Sequence, residues 1–249
     1  MNYHTYEVAC NKVTARFHVQ DGSSDTKSVD ETWKKSAYRK PKSGFDVEPG
    51  DRWLDLGANI GAFTVYAAKR GATVLAVEPE PRNASRIRHH AEINGMDHHI
   101  NVREAAVTIR QLAGAETPFY VNPNPKAYRR HTLNPNYMGN TAERANQIQV
   151  ETVSLEDLLD EGYDCIKMNI EGTEIPILMG LSDEYYSKIK KLVFEYSFDM
   201  DKRISIYVRV LKKISPQFTL IKESRKIDKT KPTFDHYPPN VYIFGLKKQ

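Results

Sequence analysis

From residue 52 onward, short apolar runs alternate with longer segments whose apolar positions recur at helical spacing. The run 73–77 is continuously apolar, as expected of a strand that is buried on both faces of a parallel sheet. A predicted helix over 81–94 follows it, with Pro81 in the first turn and Asn94-Gly95 at the end. This alternation predicts an α/β fold, in which a doubly wound, mostly parallel sheet is covered by helices on both sides.

The same alternation predicts the remaining elements of the sheet. Predicted strands lie at 53–56, 100–108, 118–121, 147–153, 164–170, 191–196, 217–222 and 241–246, and predicted helices at 60–69, 174–180 and 202–213. The last two strands are expected to pair as an antiparallel C-terminal edge. Residues 122–146, with six Asn and three Pro, interrupt the pattern and are predicted to form a loop insertion.

The first 49 residues stand apart from this alternation. Their predicted elements are two strands at 6–10 and 13–19, a loop at 20–28 and a short helix at 29–38. We therefore expect an N-terminal extension over 1–49, built from a β-hairpin and a helix, and a main domain over 50–249.

The composition restricts the class of protein. With 249 residues, 40% of them hydrophobic and 27% charged, the chain can bury a sizeable core and is not disordered. No apolar run approaches the ~18 residues that a membrane helix needs, and the first residues lack the pattern of a signal peptide. Two cysteines give neither a disulfide framework nor a zinc pattern, so a reducing cytoplasm is the expected location.

Two further features of composition bear on partners. The net charge of +4 permits an anionic partner without requiring one. The pairs His89-His90 and His98-His99 are interpreted as solvated helix ends, because adjacent side chains diverge and no carboxylate completes a metal-ligand spacing.

A glycine-rich turn stands where the first predicted strand of the main domain meets its first helix. Its sequence is Asp55-Leu56-Gly57-Ala58-Asn59-Ile60-Gly61. Gly57 permits the turn and leaves room for a ligand to approach the backbone, and Gly61 permits close packing of the helix start. The N–H groups of the turn are expected to hold a carboxylate or phosphate. Asp55 places an anion at the strand end, where it would attract a cationic group of a ligand.

A second acid follows at the end of the next predicted strand, in Glu78-Pro79. A carboxylate at that position can accept hydrogen bonds from both hydroxyls of a ribose. An amino-acid site and a ribose site together fit S-adenosylmethionine. The competing nicotinamide fingerprint requires a glycine where Asn59 stands. Glu104-Ala105, after the third strand, are predicted to bind the adenine, with a solvated loop acid as the alternative for Glu104.

Several blocks of the sequence resemble the FkbM-type methyltransferases. They are Asp55-x-Gly57-x-Asn59-x-Gly61, Glu78-Pro79, Leu155-Glu156-Asp157-Leu158, Ile166-Lys167-Met168-Asn169-Ile170-Glu171-Gly172-Thr173-Glu174 and Val193-Phe194-Glu195, all within residues 50–198. The resemblance implies a Rossmann-like, S-adenosylmethionine-dependent methyltransferase that typically methylates a hydroxyl of a sugar or natural product. The family usually has Asp at the position of Asn169, and Asn is neither a base nor a strong metal ligand, so assistance by a divalent metal stays open.

Lys167, Asn169 and Glu171 fall on one face of their predicted strand, because alternate side chains of a strand share a face. At the carboxyl end of an open α/β sheet this row is expected to face the ligand. Glu171 is the predicted general base for an alcohol acceptor, with Glu174 and Glu195 as alternatives. Lys167 is expected to orient the acceptor or keep a carboxylate charged, and Asn169 to bind the substrate hydroxyl or the methionine end. A structural Lys–Glu ion pair is the competing interpretation.

The sequence leaves three hypotheses for what the protein methylates, one of them being that it methylates nothing. The leading one is O-methylation of a hydroxyl on a glycan or small molecule. The second is nucleic-acid methylation, because one stretch interleaves aromatic and cationic side chains as single-strand binders do. The predicted substrate contacts in that stretch are Tyr128, Arg129, Arg130, His131 and Tyr137. The third is a cofactor-binding protein without catalytic activity, for which Asn169 is the only support.

Overall fold

Strands and helices alternate along the chain, and the computed structural model describes residues 2–124, 131–134, 146–197, 204–227 and 240–247. The strands are β1 (Tyr3–Cys10), β2 (Val13–Gln20), β3 (Arg52–Leu56), β4 (Thr73–Val77), β5 (Ile100–Arg103), β6 (Ala106–Thr108), β7 (Glu116–Val121), β8 (Asn146–Ser154), β9 (Cys165–Met168), β10 (Lys191–Ser197), β11 (Leu220–Glu223) and β12 (Asn240–Leu246). The helices are α1 (Asp25–Trp33), α2 (Ala62–Lys69), α3 (Pro81–Ile93), α4 (Leu155–Asp160), α5 (Glu174–Gly180), α6 (Asp183–Lys188) and α7 (Ile204–Ile214).

The central sheet has seven strands in the order β5-β4-β3-β9-β10-β12-β11. Neighbours from β5 to β10 pair in parallel, whereas β12 pairs antiparallel with both β10 and β11. The strand order reverses between β3 and β9, and the carboxyl ends of such strands open the crevice where α/β sheets bind ligands. The predicted mostly parallel sheet with an antiparallel C-terminal edge is confirmed.

The prediction of one strand over 100–108 is wrong. β5 stays in the central sheet, whereas β6 leaves it and pairs with β8, which also pairs with β7 in a second sheet of three strands. Apolar side chains of Ala106, Phe119, Val121 and Val150 pack together in this second sheet. The sequence pattern does not separate β5 from β6, because only two residues divide them and both strands carry buried apolar positions.

The predicted helix at 29–38 is displaced, since α1 runs from Asp25 to Trp33. The Asp25 carboxylate accepts the backbone N–H of Gln20 at 2.8 Å and pairs with Arg86 at 2.5 Å. These contacts with distant residues fix the helix start inside a polar stretch that the sequence alone presents as a loop. Two short helices that were not predicted, α4 and α6, are each capped by the serine before them, Ser154 and Ser182.

The N-terminal hairpin is attached to the main domain through side chains of α3. Arg86 donates to the His18 carbonyl at 2.8 Å, and the His18 N–H donates to His90 Nε2 at 3.0 Å. The Asn94 amide accepts from the Arg16 N–H at 2.9 Å and donates to the Arg16 carbonyl at 2.8 Å. Residues 86, 90 and 94 lie four apart on one helix face. That face therefore satisfies the edge of β2 as a neighbouring strand would.

His90 corrects the expectation that the histidine pairs lie at solvated helix ends. Its side chain is fully buried, and Nδ1 contacts the Ile60 carbonyl at 2.8 Å while Nε2 receives the His18 N–H. Nδ1 must therefore carry the proton, which makes the imidazole neutral. Burial lowers the pKa of His90 to about 4. One side chain thus links the hairpin to the glycine-rich turn.

Two apolar clusters cover the two faces of the central sheet. One includes buried residues of β9, β10, α5 and α7. The other joins Phe17 and Trp33 of the N-terminal residues to Trp53 of β3 and Phe63 of α2. The division into 1–49 and 50–249 stays a prediction. No helix within the described residues is both long enough and apolar enough to cross a bilayer.

Candidate active site

A cleft opens at the carboxyl ends of β3, β4 and β9, where the strand order reverses. It encloses about 860 Å³ of space between protein atoms, including the part that opens to solvent. Its walls include the glycine-rich turn, the ends of β4 and β9, the second sheet and the N-terminal α1.

Positive φ angles shape the glycine-rich turn, at Gly57 (72°), Asn59 (54°) and Gly61 (79°). A Cβ on Gly57 would lie 2.0 Å from the Asn169 carbonyl oxygen, and one on Gly61 would lie 3.2 Å from Ile87 Cγ1. Gly57 therefore makes room for the end of β9 and Gly61 for α3. The Asn169 carbonyl occupies the side of Gly57 where a Cβ would stand, whereas Gly57 itself lines the cleft, so its contact with the cofactor stays a prediction.

The N–H groups of this turn also differ from the expectation of an anion cradle. Gly57 and Ala58 donate to the Val77 carbonyl, at 3.0 and 3.3 Å, and Gly61 donates to that of Ala58 at 2.8 Å. Asn59 donates to Glu78, and Ile60 to the Asn59 side chain. All five N–H groups from 57 to 61 thus donate to acceptors inside the protein. Ala58, Asn59 and Ile60 line the cleft, whereas Gly61 does not.

Asp55 lies beneath the cleft and does not line it. Its side chain is fully buried, with Oδ1 2.9 Å from Lys167 Nζ and Oδ2 accepting the Thr64 hydroxyl at 2.6 Å. Lys167 also donates to the Gly57 carbonyl at 2.9 Å. Although burial opposes the charged form, the nearby Asp55 carboxylate raises the pKa of Lys167 above its usual value. The cation that faces Asp55 is therefore the Lys167 ammonium and not a group of a ligand. Lys167 also lines the cleft, so its predicted role toward the acceptor stays a prediction.

Glu78 is placed as the ribose hypothesis requires. Its buried carboxylate lines the cleft and accepts the Asn59 N–H at 2.8 Å and the Glu80 N–H at 3.1 Å. The Asn83 side chain is a further hydrogen-bond partner. A carboxylate has about four acceptor sites, so at least one remains for a further donor. Burial raises the pKa of Glu78 to about 7, and the two backbone N–H groups counteract part of this rise. Pro79 lies next to it on the cleft wall.

The two residues predicted to bind adenine are separated by the fold. Ala105 lines the cleft, with Val107 and Phe119 of the second sheet on the same wall. Glu104 lies outside it, and its exposed carboxylate pairs with Arg88 at 2.6 Å. The apolar wall provides a surface for a purine, and Glu104 takes the alternative role of a solvated loop acid.

Asn169 and Glu171 both line the cleft, and an N-terminal tyrosine joins them. The Asn169 amide donates a long hydrogen bond of 3.4 Å to the Tyr38 hydroxyl. Lys167 Nζ lies 5.1 Å from the centre of the Tyr38 ring. Glu171 adopts a positive φ of 56°, and its carbonyl accepts the Thr132 hydroxyl at 2.6 Å. A strained non-glycine conformation of this kind is frequent at functional sites.

The two alternative bases do not line the cleft. Glu174 is buried and turned toward the backbone, where it accepts the Ile170 N–H at 2.7 Å and the Gly172 N–H at 2.9 Å. Burial raises the pKa of Glu174. Glu195 lies on β10 and accepts a hydrogen bond from the Asn240 amide. Glu174 thus fixes the loop that carries Glu171, and the shared strand face fails beyond Met168 because β9 ends there.

Of the predicted substrate contacts, His131 lies in the described part of the chain. It lines the cleft and stacks on Phe119, with ring centres 6.3 Å apart. Burial lowers the pKa of His131 to about 4, so the imidazole is neutral. Tyr128, Arg129, Arg130 and Tyr137 lie outside the described residues.

The N-terminal residues that line the cleft were missed by the sequence analysis. Ser28, Glu31 and Thr32 of α1 face it, and Tyr38 follows. The spacing of 28, 31 and 32 places them on one helix face, which was the available signal. It was missed because the helix was predicted to begin at residue 29.

The chemistry of the cleft fits a nucleoside joined to an amino acid. Glu78 offers a carboxylate to a ribose diol, and the wall around Ala105 and Phe119 offers apolar surface to a purine. The polar residues of α1 line the same cleft as the glycine-rich turn. No group of three or more His, Cys, Asp or Glu side chains that could hold a metal ion occurs among the residues that the structure describes.

Several methyltransferases are among the known proteins that this chain is similar to. A family model described as Methyltransferase FkbM domain matches residues 55–225. Methyltransferase 1 of Beauveria bassiana is 27% identical over 171 residues, covering 61% of this chain and 68% of that protein. The 31-O-demethyl-FK506 methyltransferase FkbM of Streptomyces tacrolimicus is 26% identical over 209 residues, covering 73% and 78%. The crystal structure of methyltransferase FkbM from Methylobacillus flagellatus gives a TM-score of 0.46 at 18% identity, covering 84% of this chain and 47% of that one.

The match of the family model spans more than half of the chain and runs through the glycine-rich turn, Glu78 and the end of β9. The chain therefore belongs to the FkbM methyltransferase domain family, and S-adenosylmethionine is its methyl donor.

Proposed function

We propose that this protein methylates a hydroxyl group of a sugar, a glycan or another small neutral molecule. The observation that carries this proposal is the contact between Tyr38 and Asn169 beside Glu171 on the cleft wall. A neutral hydrogen-bond donor, a neutral acceptor and a carboxylate are the groups that an alcohol acceptor needs. One relative supports the same chemistry, since its name describes an O-demethylated substrate.

In this proposal the protein orients the acceptor and removes its proton. When bound, S-adenosylmethionine would supply a sulfonium methyl group to the acceptor oxygen, and the S–CH3 bond would break so that S-adenosylhomocysteine leaves. The Asn169 carbonyl accepts from a hydroxyl of the acceptor molecule, and the Tyr38 hydroxyl donates to one of its oxygens. Burial raises the pKa of Tyr38, so its phenol stays protonated and keeps this donor role. Glu171 takes the acceptor proton as the new C–O bond forms.

Methyl-labelled S-adenosylmethionine, offered with separate pools of neutral glycans, small alcohols, RNA and DNA, tests the acceptor class. We expect label in a hydroxyl-bearing neutral pool, recovered as a methyl ether. Label in RNA or DNA instead, with binding that falls steeply as salt rises, would establish the nucleic-acid alternative. Cofactor binding without transfer to any pool would establish a non-catalytic protein.

The base is tested with Glu171→Gln in the same assay. We expect turnover to fall by about a hundredfold or more, because a positioned base contributes at least that factor, while the affinity for S-adenosylhomocysteine is kept. The matched control is Glu151→Gln, at an exposed glutamate on β8, which should keep full turnover. Turnover near that of the wild type in Glu171→Gln would remove Glu171 from the role of base.

A further inference from the structure

We infer that Glu31 on α1 binds the α-ammonium group of S-adenosylmethionine, the role that the sequence assigns to Asp55. This inference rests on S-adenosylmethionine as the cofactor and on the ribose at Glu78. It adds a binding residue from the N-terminal part of the chain, which lies outside the residues matched by the family model, 55–225.

The Asp55 carboxylate already has partners inside the protein. Both of its oxygens are engaged inside the protein, Oδ1 by the Lys167 ammonium and Oδ2 by the Thr64 hydroxyl. The side chain is fully buried and is separated from the cleft by the turn above it. An ammonium group that reached Asp55 would have to displace Lys167 from a buried ion pair, and separating such a pair is strongly unfavourable.

Helix α1 lies directly against the start of α2, next to the glycine-rich turn. The Trp33 indole N–H donates to the Ala62 carbonyl at 3.0 Å, and its ring packs edge-on against Tyr66 at 5.3 Å between centres. Both Trp33 and Val29 are buried. These contacts fix the rotation of α1, so that its opposite, polar face with Glu31 is held on the cleft wall.

Three carboxylates line the cleft among the residues that the structure describes: Glu31, Glu78 and Glu171. Glu78 follows β4 and is assigned to the ribose, and Glu171 follows β9 and is assigned to the acceptor. Glu31 lines the cleft from α1, the helix that packs beside the turn where the amino-acid end of the cofactor belongs. A carboxylate is the strongest hydrogen-bond acceptor that a protein offers to an ammonium.

The neighbours of Glu31 complete an ammonium site. The Ser28 and Thr32 hydroxyls donate to the carbonyls of Ser24 and Ser28, each at 3.2 Å. Their protons are therefore directed along the helix, and their oxygens keep lone pairs that can accept from a ligand. Ser28, Glu31 and Thr32 all line the cleft, so the three N–H bonds of an ammonium find oxygen acceptors on one helix face.

Calorimetry with two ligands separates this role from a general effect on the cleft. S-adenosylhomocysteine carries the amino acid, whereas 5′-methylthioadenosine has the same nucleoside and sulfur without it. In Glu31→Gln we expect the Kd of S-adenosylhomocysteine to rise by about tenfold to a hundredfold, the usual effect of losing a charge-assisted hydrogen bond. The Kd of 5′-methylthioadenosine should stay within about twofold of the wild type. Glu92→Gln, at an exposed glutamate of α3, is the matched control and should change neither.

Each possible result of the calorimetry leads to a different conclusion. Unchanged S-adenosylhomocysteine affinity in Glu31→Gln would overturn the inference and leave the cofactor assignment intact. An equal loss for both ligands would also overturn it, because Glu31 would then support the cleft as a whole. If the wild type binds neither ligand, the cofactor assignment itself is wrong and the role of Glu31 falls with it.

Discussion

Gly57 shows how one residue without a side chain brings two parts of the site together. Its φ of 72° and the Asn169 carbonyl beside it leave no space for a Cβ. Asn169 in turn donates its backbone N–H to the Leu56 carbonyl at 3.0 Å, which holds the ends of β3 and β9 in register. The glycine of the motif therefore fixes the start of the segment after β9 that carries Asn169 and Glu171, in addition to shaping the turn.

We expect Gly57→Ala to lower the free energy of unfolding by about 3 kcal/mol or more, because it combines left-handed strain with a backbone clash. Gly95→Ala is the matched control, since Gly95 has a similar φ of 64° but nothing within 4 Å of an added Cβ. Its cost should be about 1 kcal/mol from backbone strain alone. Urea unfolding of both variants measures the difference, and equal costs would contradict a close approach of Asn169.

At the scale of elements, α3 connects the hairpin to the glycine-rich turn. Arg86, His90 and Asn94 occupy the edge of β2, and His90 also contacts the Ile60 carbonyl. Because His90 has a depressed pKa in the folded protein, its contribution to stability is present above the ordinary pKa of 6.5 and is lost as pH falls toward about 4.

We therefore expect the free energy of unfolding to fall by about 2 kcal/mol more between pH 7 and pH 5 in the wild type than in His90→Gln. Urea unfolding at the two pH values measures this difference. His98→Gln removes a histidine outside this contact and should keep the pH dependence of the wild type. The account of His90 would be contradicted if His90→Gln kept it as well.

The elements that the sequence predicts well are those whose pattern is local. The continuous apolar run of β4 and the helix signals of α3 at Pro81 and Asn94-Gly95 lie near the observed bounds. The start of α1 and the departure of β6 from the central sheet depend on distant partners, Arg86 and β8. The hydrophobic pattern of one segment does not show which distant residues that segment will contact.

At the scale of the whole molecule, the cleft is assembled from segments far apart in sequence. The positions of Glu78 and Ala105 follow from the order of strands, so the sequence could place them near the ligand. The sequence predicts that Asp55 attracts a cationic group of a ligand. In the fold it pairs instead with Lys167, which comes from a strand more than a hundred residues away. The part played by Glu31 and Tyr38 was hidden for the same reason, since only the folded chain brings α1 to the turn.

Binding of S-adenosylhomocysteine at pH 8 and pH 6, measured by calorimetry for the wild type and Glu78→Gln, tests the central claim that this cleft holds the cofactor with its ribose at Glu78. Burial raises the pKa of Glu78 to about 7, and the ionised carboxylate is the better acceptor for two hydroxyl protons. We predict wild-type affinity about tenfold weaker at pH 6 than at pH 8, and a weaker, pH-independent affinity in Glu78→Gln. No heat of binding, or equal affinities for the two proteins, would contradict the account.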